Sequence, residues 1–318
     1  MDHTLKKTNR ALKKTNCERA EPLGFAPDLI YDVGMHNGDD TAYYLHQGYR
    51  VVAIEADPVL AREANVLFAE QVRSGQLTIL NVGIAPEPTA ECKAGDCNSK
   101  EFWICDDNRL WNSFDRGIAS RNGSRHHAIE IATQRFSSIL KSYEVPFYLK
   151  VDIEGCDHLC VQELAGGPLP MFISVESECA DDSRRLSEEA SLQTLQLLHE
   201  VGYRRFKLIS QIDLQPATVV PHGILQHTWQ RCLNSLAFGR LSVPWLAPLV
   251  QPFTALGRIS RRCDYNFPLG STGPWGEEAA GEWMLFDQAR TLYLEARSRH
   301  FAQSASPWFW CDWLATTA

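Results

Sequence analysis

The sequence predicts an α/β fold: a mostly parallel sheet of Rossmann-like type with helices on both faces. Three observations predict it. Short apolar runs alternate with helix-patterned stretches from residue 28 to 209. Glycines and acidic residues gather just after the apolar runs. The 318 residues are 44% hydrophobic and 22% charged, enough apolar material for a sizeable core. Strands that alternate with helices pair in parallel and are covered on both faces. Such sheets take ligands beyond the carboxyl ends of their strands, at the switch point.

The elements follow in order. Leu29 to Val33 is a buried strand that ends at Gly34. A helix follows from about Asp40 to His46, with Asp39 or Asp40 near its N-cap. Arg50 to Glu55 is the second strand. Pro58 to Arg73 is a helix with Pro58 in its first turn. Gln76 to Val82 is the third strand. Residues 85–128 are polar, with a short strand at Phe102-Trp103-Ile104. Ile129 to Thr133 is extended, and Ser137 to Tyr143 is helical. Phe147 to Ile153 is a strand, Asp157 to Leu164 a helix, and Met171 to Val175 a strand. Ser187 to Glu200 is an amphipathic helix with Leu192, Leu195 and Leu198 on one face. Arg205 to Ile209 is a further strand.

Four regions result. Residues 1–27 form a basic arm in which Leu5-Lys6-Lys7-Thr8-Asn9 returns as Leu12-Lys13-Lys14-Thr15-Asn16. Two heptad copies cannot make a stable coiled coil, so a frayed or helical arm is expected, with a cap or dimer contact as the functional alternative. Residues 28–209 are the core. Residues 210–300 are an insertion, rich in Trp, Pro, Gly and Arg, that contains Trp229, Trp245, Trp275 and Trp283 and the prolines 244, 248 and 252. Within it, Gly270 to Gly276 is a turn-rich loop and Glu282 to about Arg299 a helix. Residues 301–318 complete the sheet, with Trp308 to Leu314 as the last strand.

Composition excludes several classes. The net charge of −8 disfavours a nucleic-acid partner. The ten cysteines form no CxxC pair, which argues against structural zinc. With no signal-like apolar segment at the N-terminus, free thiols in a cytoplasmic protein are expected. No uninterrupted apolar stretch is long enough for a spanning helix, so stable membrane insertion is not expected.

The chemistry-bearing residues lie after the strands. Asp32-Val33-Gly34-Met35-His36-Asn37-Gly38 has two glycines separated by three residues. They permit a sharp turn and close backbone approach to a ligand. This is not the GxGxxG spacing of a pyrophosphate site. Its amides suit a carboxylate, and Asp32 suits an ammonium, directly or through water. Glu55 stands where Rossmann-like sites place the acid that accepts both ribose hydroxyls. Thr41, Ala56, Asn81 and Val82 complete the expected cofactor contacts. In Lys150-Val151-Asp152-Ile153-Glu154-Gly155, period-two alternation puts Lys150, Asp152 and Glu154 on one side. Glu176 and Glu178 end the next strand and can join them.

As a set these residues resemble the FkbM methyltransferase family: the Asp-x-Gly-x-x-x-Gly loop at Asp32–Gly38, Glu55, and Lys-x-Asp-x-Glu-Gly at Lys150–Gly155. Trp111-Asn112-Ser113-Phe114 is similar to a serine-bearing segment of related sequences. The resemblance covers about residues 28–210 and implies a class I, seven-stranded methyltransferase fold that uses S-adenosylmethionine. It implies transfer to a hydroxyl of a natural product or sugar by in-line displacement. Asp152, Glu154 and His36 are then the expected catalytic residues, with His158 behind them and no metal assigned. Met35 is larger than the residue usual in this loop. The alternatives are an oxidoreductase using NAD or a nucleotide sugar, and a non-catalytic cofactor-binding scaffold. A small-molecule acceptor is the expected partner. The aromatic residues of 210–300 suit a lid over the site and equally a homodimer interface.

Overall fold

The computed structural model describes residues 25–85, 99–178, 183–217, 259–260, 265–268, 270–304, 306 and 308–318. The N-terminal repeat, Trp229, Trp245 and prolines 244, 248 and 252 lie outside the described residues.

In chain order the strands are β1 (Ala26–Val33), β2 (Arg50–Ile54), β3 (Leu77–Leu80), β4 (Gly83–Ile84), β5 (Ser99–Cys105) and β6 (His126–Gln134). They continue as β7 (Pro146–Val151), β8 (Phe172–Glu176), β9 (Arg205–Ser210), β10 (Ile259–Ser260), β11 (Tyr265–Asn266) and β12 (Cys311–Thr316). Seven of them form one sheet in the order β3-β2-β1-β7-β8-β12-β9. All its pairings are parallel except those of β12, which runs antiparallel between β8 and β9. The order reverses between β1 and β7, and the loops after these strands open at that switch point. The expected class I sheet with its late antiparallel strand is therefore present. That strand begins at Cys311, three residues later than expected, because Trp308 to Trp310 come before the ladder.

One face of the sheet carries Tyr31, Val33, Leu149, Val151, Ile173, Val175 and Trp313. Helices Phe136–Tyr143, Asp157–Gln162, Gln193–Val201 and Phe286–Gln303 cover it with Phe136, Cys160, Leu195, Leu198 and Tyr293. The opposite face carries Ile30, Ala53, Tyr148 and Leu314, against helices Asp39–His46 and Pro58–Leu67. Tyr265, Phe267, Trp275, Ala279 and Trp283 finish this second face. Trp275 stacks on Tyr148 with ring centroids 4.3 Å apart and planes 7° from parallel. This part of the segment read as an insertion thus belongs to the core packing.

A second sheet, β4-β6-β5, stands beside the main one. The polar stretch 99–134 forms it because β5 and β6 are buried along one side only, where Phe102, Ile104 and Ile131 pack together. Two expected helices are divided. Pro58–Leu67 ends at Phe68 before Ala69–Ser74, and the segment after Ser187 breaks at Leu192. The reason at Phe68 is tertiary: its ring lies under Gly38, where an added Cβ would come within 2.6 Å of it. Among the described residues, no helix is long and apolar enough to cross a membrane.

Candidate active site

The loop after β1 is built for close approach. Gly34 and Gly38 have φ of 83° and 85°, in the left-handed region. A Cβ on Gly34 would sit 1.8 Å from the Asp152 carbonyl oxygen, so the loops after β1 and β7 touch at backbone distance. Gly38 is the N-cap of the following helix, with Asp39 and Asp40 in its first turn, near the cap as expected. Asp40 turns inward, where its carboxylate accepts the Thr272 amide at 3.0 and 3.1 Å. Burial first, and then the neighbouring Asp32, push Asp40 up to about 6 against the pull of Lys150.

Asp32 is fully buried beneath the loop. It accepts the Thr41 hydroxyl at 2.6 Å and faces the Lys150 ammonium at 3.2 Å. Lys150 also donates to the Gly34 carbonyl at 2.6 Å and lies 3.6 Å from Asp152. Burial alone would depress this ammonium, but Asp32, Asp152 and Asp40 outweigh it and hold it above the usual lysine range.

Glu55 follows β2 and is nearly buried. The His36 amide donates to one of its oxygens at 2.7 Å and the Asp57 amide to the other at 2.8 Å. Burial lifts its pKa to about 7 against these two donors. Asn81 braces the same corner, donating to the Glu55 and Ala56 carbonyls at 2.9 and 3.2 Å. Leu60, Val82, Ile84, Phe102 and Phe114 form an apolar wall beside it. The His36 ring is held below its usual value by burial and then by Lys150, so it is neutral near pH 7.

A cleft of about 240 Å³ opens over this edge. Of the predicted residues, Gly34, His36, Glu55, Ala56, Val82, Asp152 and Glu154 line it. Asp32, Gly38, Thr41 and Asn81 stand behind them as supports. Strand geometry stops at Val151 and Glu154 has φ 44°, yet Lys150, Asp152 and Glu154 all line the same cleft. Lys150 is buried in the sheet, Asp152 enters the cleft with a side chain 40% exposed, and Glu154 meets Arg121 at 2.9 Å. Burial raises Glu154 to about 7 against the attraction of Arg121.

Sequence reasoning missed the wall opposite. Asn112 donates to Asp57 at 3.1 Å and accepts the Cys105 amide at 2.9 Å. Ser113 donates to the Glu154 carbonyl at 2.7 Å. The Trp111–Phe114 motif was the available signal, but Arg121 carried none. Gln211, Trp308, Trp310 and Asp312 also line the cleft. His158 does not line it.

The Methyltransferase FkbM domain model matches residues 32–205. The chain belongs to the FkbM methyltransferase family. Its cofactor is S-adenosylmethionine. No curated protein matches the chain in sequence. Among solved structures it is similar to a TehB-like SAM-dependent methyltransferase from Corynebacterium glutamicum, at 11% identity and a TM-score of 0.29, over 65% of this chain and 86% of that one. A putative sarcosine dimethylglycine methyltransferase from Galdieria sulphuraria matches at 8% identity and a TM-score of 0.36, over 98% and 82%. The [4+2]-cyclase SpnF matches at 9% identity and a TM-score of 0.34, over 98% and 79%. At these scores the three likenesses carry no argument about substrate. The chemistry of the cleft suits an adenosine: a carboxylate oriented by two amides for hydroxyl donors, beside an apolar wall for a flat ring.

Proposed function

We propose that this FkbM-family chain methylates a hydroxyl oxygen of a small molecule, such as a sugar or another natural product. The juxtaposition of Glu55, the Gly34–Gly38 loop and Asp152 along one cleft carries the reading. Bound S-adenosylmethionine supplies an electrophilic methyl group on its sulfonium. Glu55 takes the ribose hydroxyls, Ala56 and Val82 flank the nucleoside, and the glycine loop takes the amino-acid end. Asp32, with Thr41 and Lys150, holds that loop rather than meeting the ligand directly.

A hydroxyl acceptor has to lose its proton as it attacks. Asp152 is the proposed proton acceptor, since it reaches the cleft with a solvent-accessible carboxylate. His36, neutral and in the same lining, is placed to accept a hydrogen bond from the acceptor. Glu154 is proposed to act through Arg121, fixing the wall above Asp152. Residues 210–300 are proposed to complete an acceptor lid, a reading supported by Gly270 and Ser271 in the cleft lining. A homodimer interface is the competing role for this segment, and the two separate on shortening residues 218–258, which leaves the core-packed Trp275 and the helix Phe286–Gln303 in place. Loss of methyl transfer with an unchanged mass in solution supports the lid. Conversion of a dimer to an active monomer removes it.

Calorimetric titration with S-adenosylhomocysteine, followed by transfer of labelled methyl to a panel of alcohols and sugars, tests the function. Methyl ethers are the expected products. Failure to bind the homocysteine product, or methylation confined to nitrogen, overturns the proposal. Cofactor binding without transfer to any acceptor returns the scaffold reading.

A further inference from the structure

Glu176 and Asp312 stand directly opposite each other on β8 and β12. Side chains so paired across an antiparallel ladder lie on one face, close together, and two like charges there repel. Both line the cleft, and Asp312 is only 7% exposed. Among the described residues, neither carboxylate has a hydrogen bond or an ion pair, and the Glu176 Oε2 is buried without a partner. Glu178, by contrast, is held by Arg297 at 3.2 Å.

A second, independent observation lies beside them. Gln211 follows β9, lines the same cleft and is 3% exposed, and its side-chain Nε2 has no partner among the described residues. A buried amide donor left alone is costly. It calls for an oxygen, as the two acids call for a cation. Trp308 and Trp310 contribute aromatic surface to the lining here, and a ring face attracts a cation. Among the described residues, no group of three or more potential ligands converges to hold a metal.

The position fits an acceptor rather than the cofactor. Counting from β2, which presents Glu55, β12 is four strands across the sheet. At about 4.8 Å per strand this is about 19 Å, with Asp152 between the two ends. We propose that Glu176 and Asp312 form a subsite for an ammonium group on the methyl acceptor, with Gln211 binding an oxygen of the same molecule. The acceptor class is a hydroxyl-bearing amine, an amino alcohol or amino sugar. The proposal rests on the methyltransferase reading above. Burial first, and then the surrounding carboxylates, hold both acids well above the usual range.

Glucosamine, glucose and N-acetylglucosamine are suitable probes, since they share a ring and differ in charge. Their binding to the protein loaded with S-adenosylhomocysteine can be followed by ligand-observed NMR. Glucosamine should bind at least tenfold more tightly than the two neutral sugars. Glu176→Gln and Asp312→Asn should each abolish that preference while leaving the homocysteine affinity unchanged. Both substitutions should also raise the melting temperature of the free protein, because each removes the cost of burying an ionisable acid beside another. Equal affinity for the three sugars, binding of none, or a preference that survives both substitutions overturns the subsite. A wild-type protein that does not take S-adenosylhomocysteine instead overturns the underlying methyltransferase reading.

Discussion

Lys150 and Asp32 face each other across β7 and β1, with 3.2 Å between the ammonium and the nearer carboxylate oxygen. The pair is buried, and the same ammonium holds the Gly34 carbonyl. Removing the cation leaves Asp32, Asp40 and Asp152 facing one another. Lys150→Met should therefore cost about 3–5 kcal/mol, as for other broken buried pairs. Urea denaturation measures this, and a loss below 1 kcal/mol would show that the acids simply take up protons.

Glu55 links cofactor binding to pH. Its buried carboxyl titrates near 7, well above the value in an unfolded chain. Stability from this group is full below the unfolded value and is lost as pH rises through about 7. Hydroxyl donors favour the ionised form, so homocysteine-product affinity should strengthen over the same interval. Glu55→Gln should flatten that dependence, and Glu55→Ala should weaken binding by about 1–3 kcal/mol through lost hydrogen bonds. Calorimetry at pH 6 and 8 settles both, and an unchanged affinity in the alanine variant would remove Glu55 from the site.

Asp152 and Glu154 should separate in kinetics. Asp152→Asn is expected to lower kcat by about 10²–10⁴-fold, the usual range for a lost general base, with little change in melting temperature. Glu154→Gln leaves Arg121 without its charged partner and should raise KM and lower stability more than it lowers kcat. If asparagine at 152 leaves turnover intact, His36 becomes the residue to test.

Trp275 ties the late segment to the sheet. It is 8% exposed and stacked on Tyr148. Trp275→Ala should cost about 3–5 kcal/mol, in the range for large aromatic truncations in cores. A change under 1 kcal/mol in thermal or chemical unfolding would place this residue outside the core.

Period and composition reveal most of the main sheet, because β1, β2, β7 and β8 are short apolar runs bounded by glycine, proline or acids. Glu55 and the glycine loop are equally visible, since their roles depend on a strand and its next few residues. Other features depend on distant partners. Asp40 looks like a helix cap, yet its carboxylate bonds to Thr272, 232 positions away. Phe68 breaks a helix by packing under Gly38, which no local propensity records. Arg121 gains meaning from Glu154, and Glu176 from Asp312, across gaps that only the folded sheet closes. The polar stretch before β6 hides its strands because half of each faces water.

The placement of β12 governs the order in which the protein matures. The strand neighbour of β9 in the main sheet is β12, which the ribosome makes only after residues 211–310. Until then β9 has no strand to pair with in that sheet, the edge of β8 is uncovered, and Asp312 is missing from the cleft. The half of the domain around Glu55 can close earlier, since β1, β2, β3 and β7 are already in hand. A nascent chain therefore carries every strand of the donor half before it carries the strand that bears Asp312.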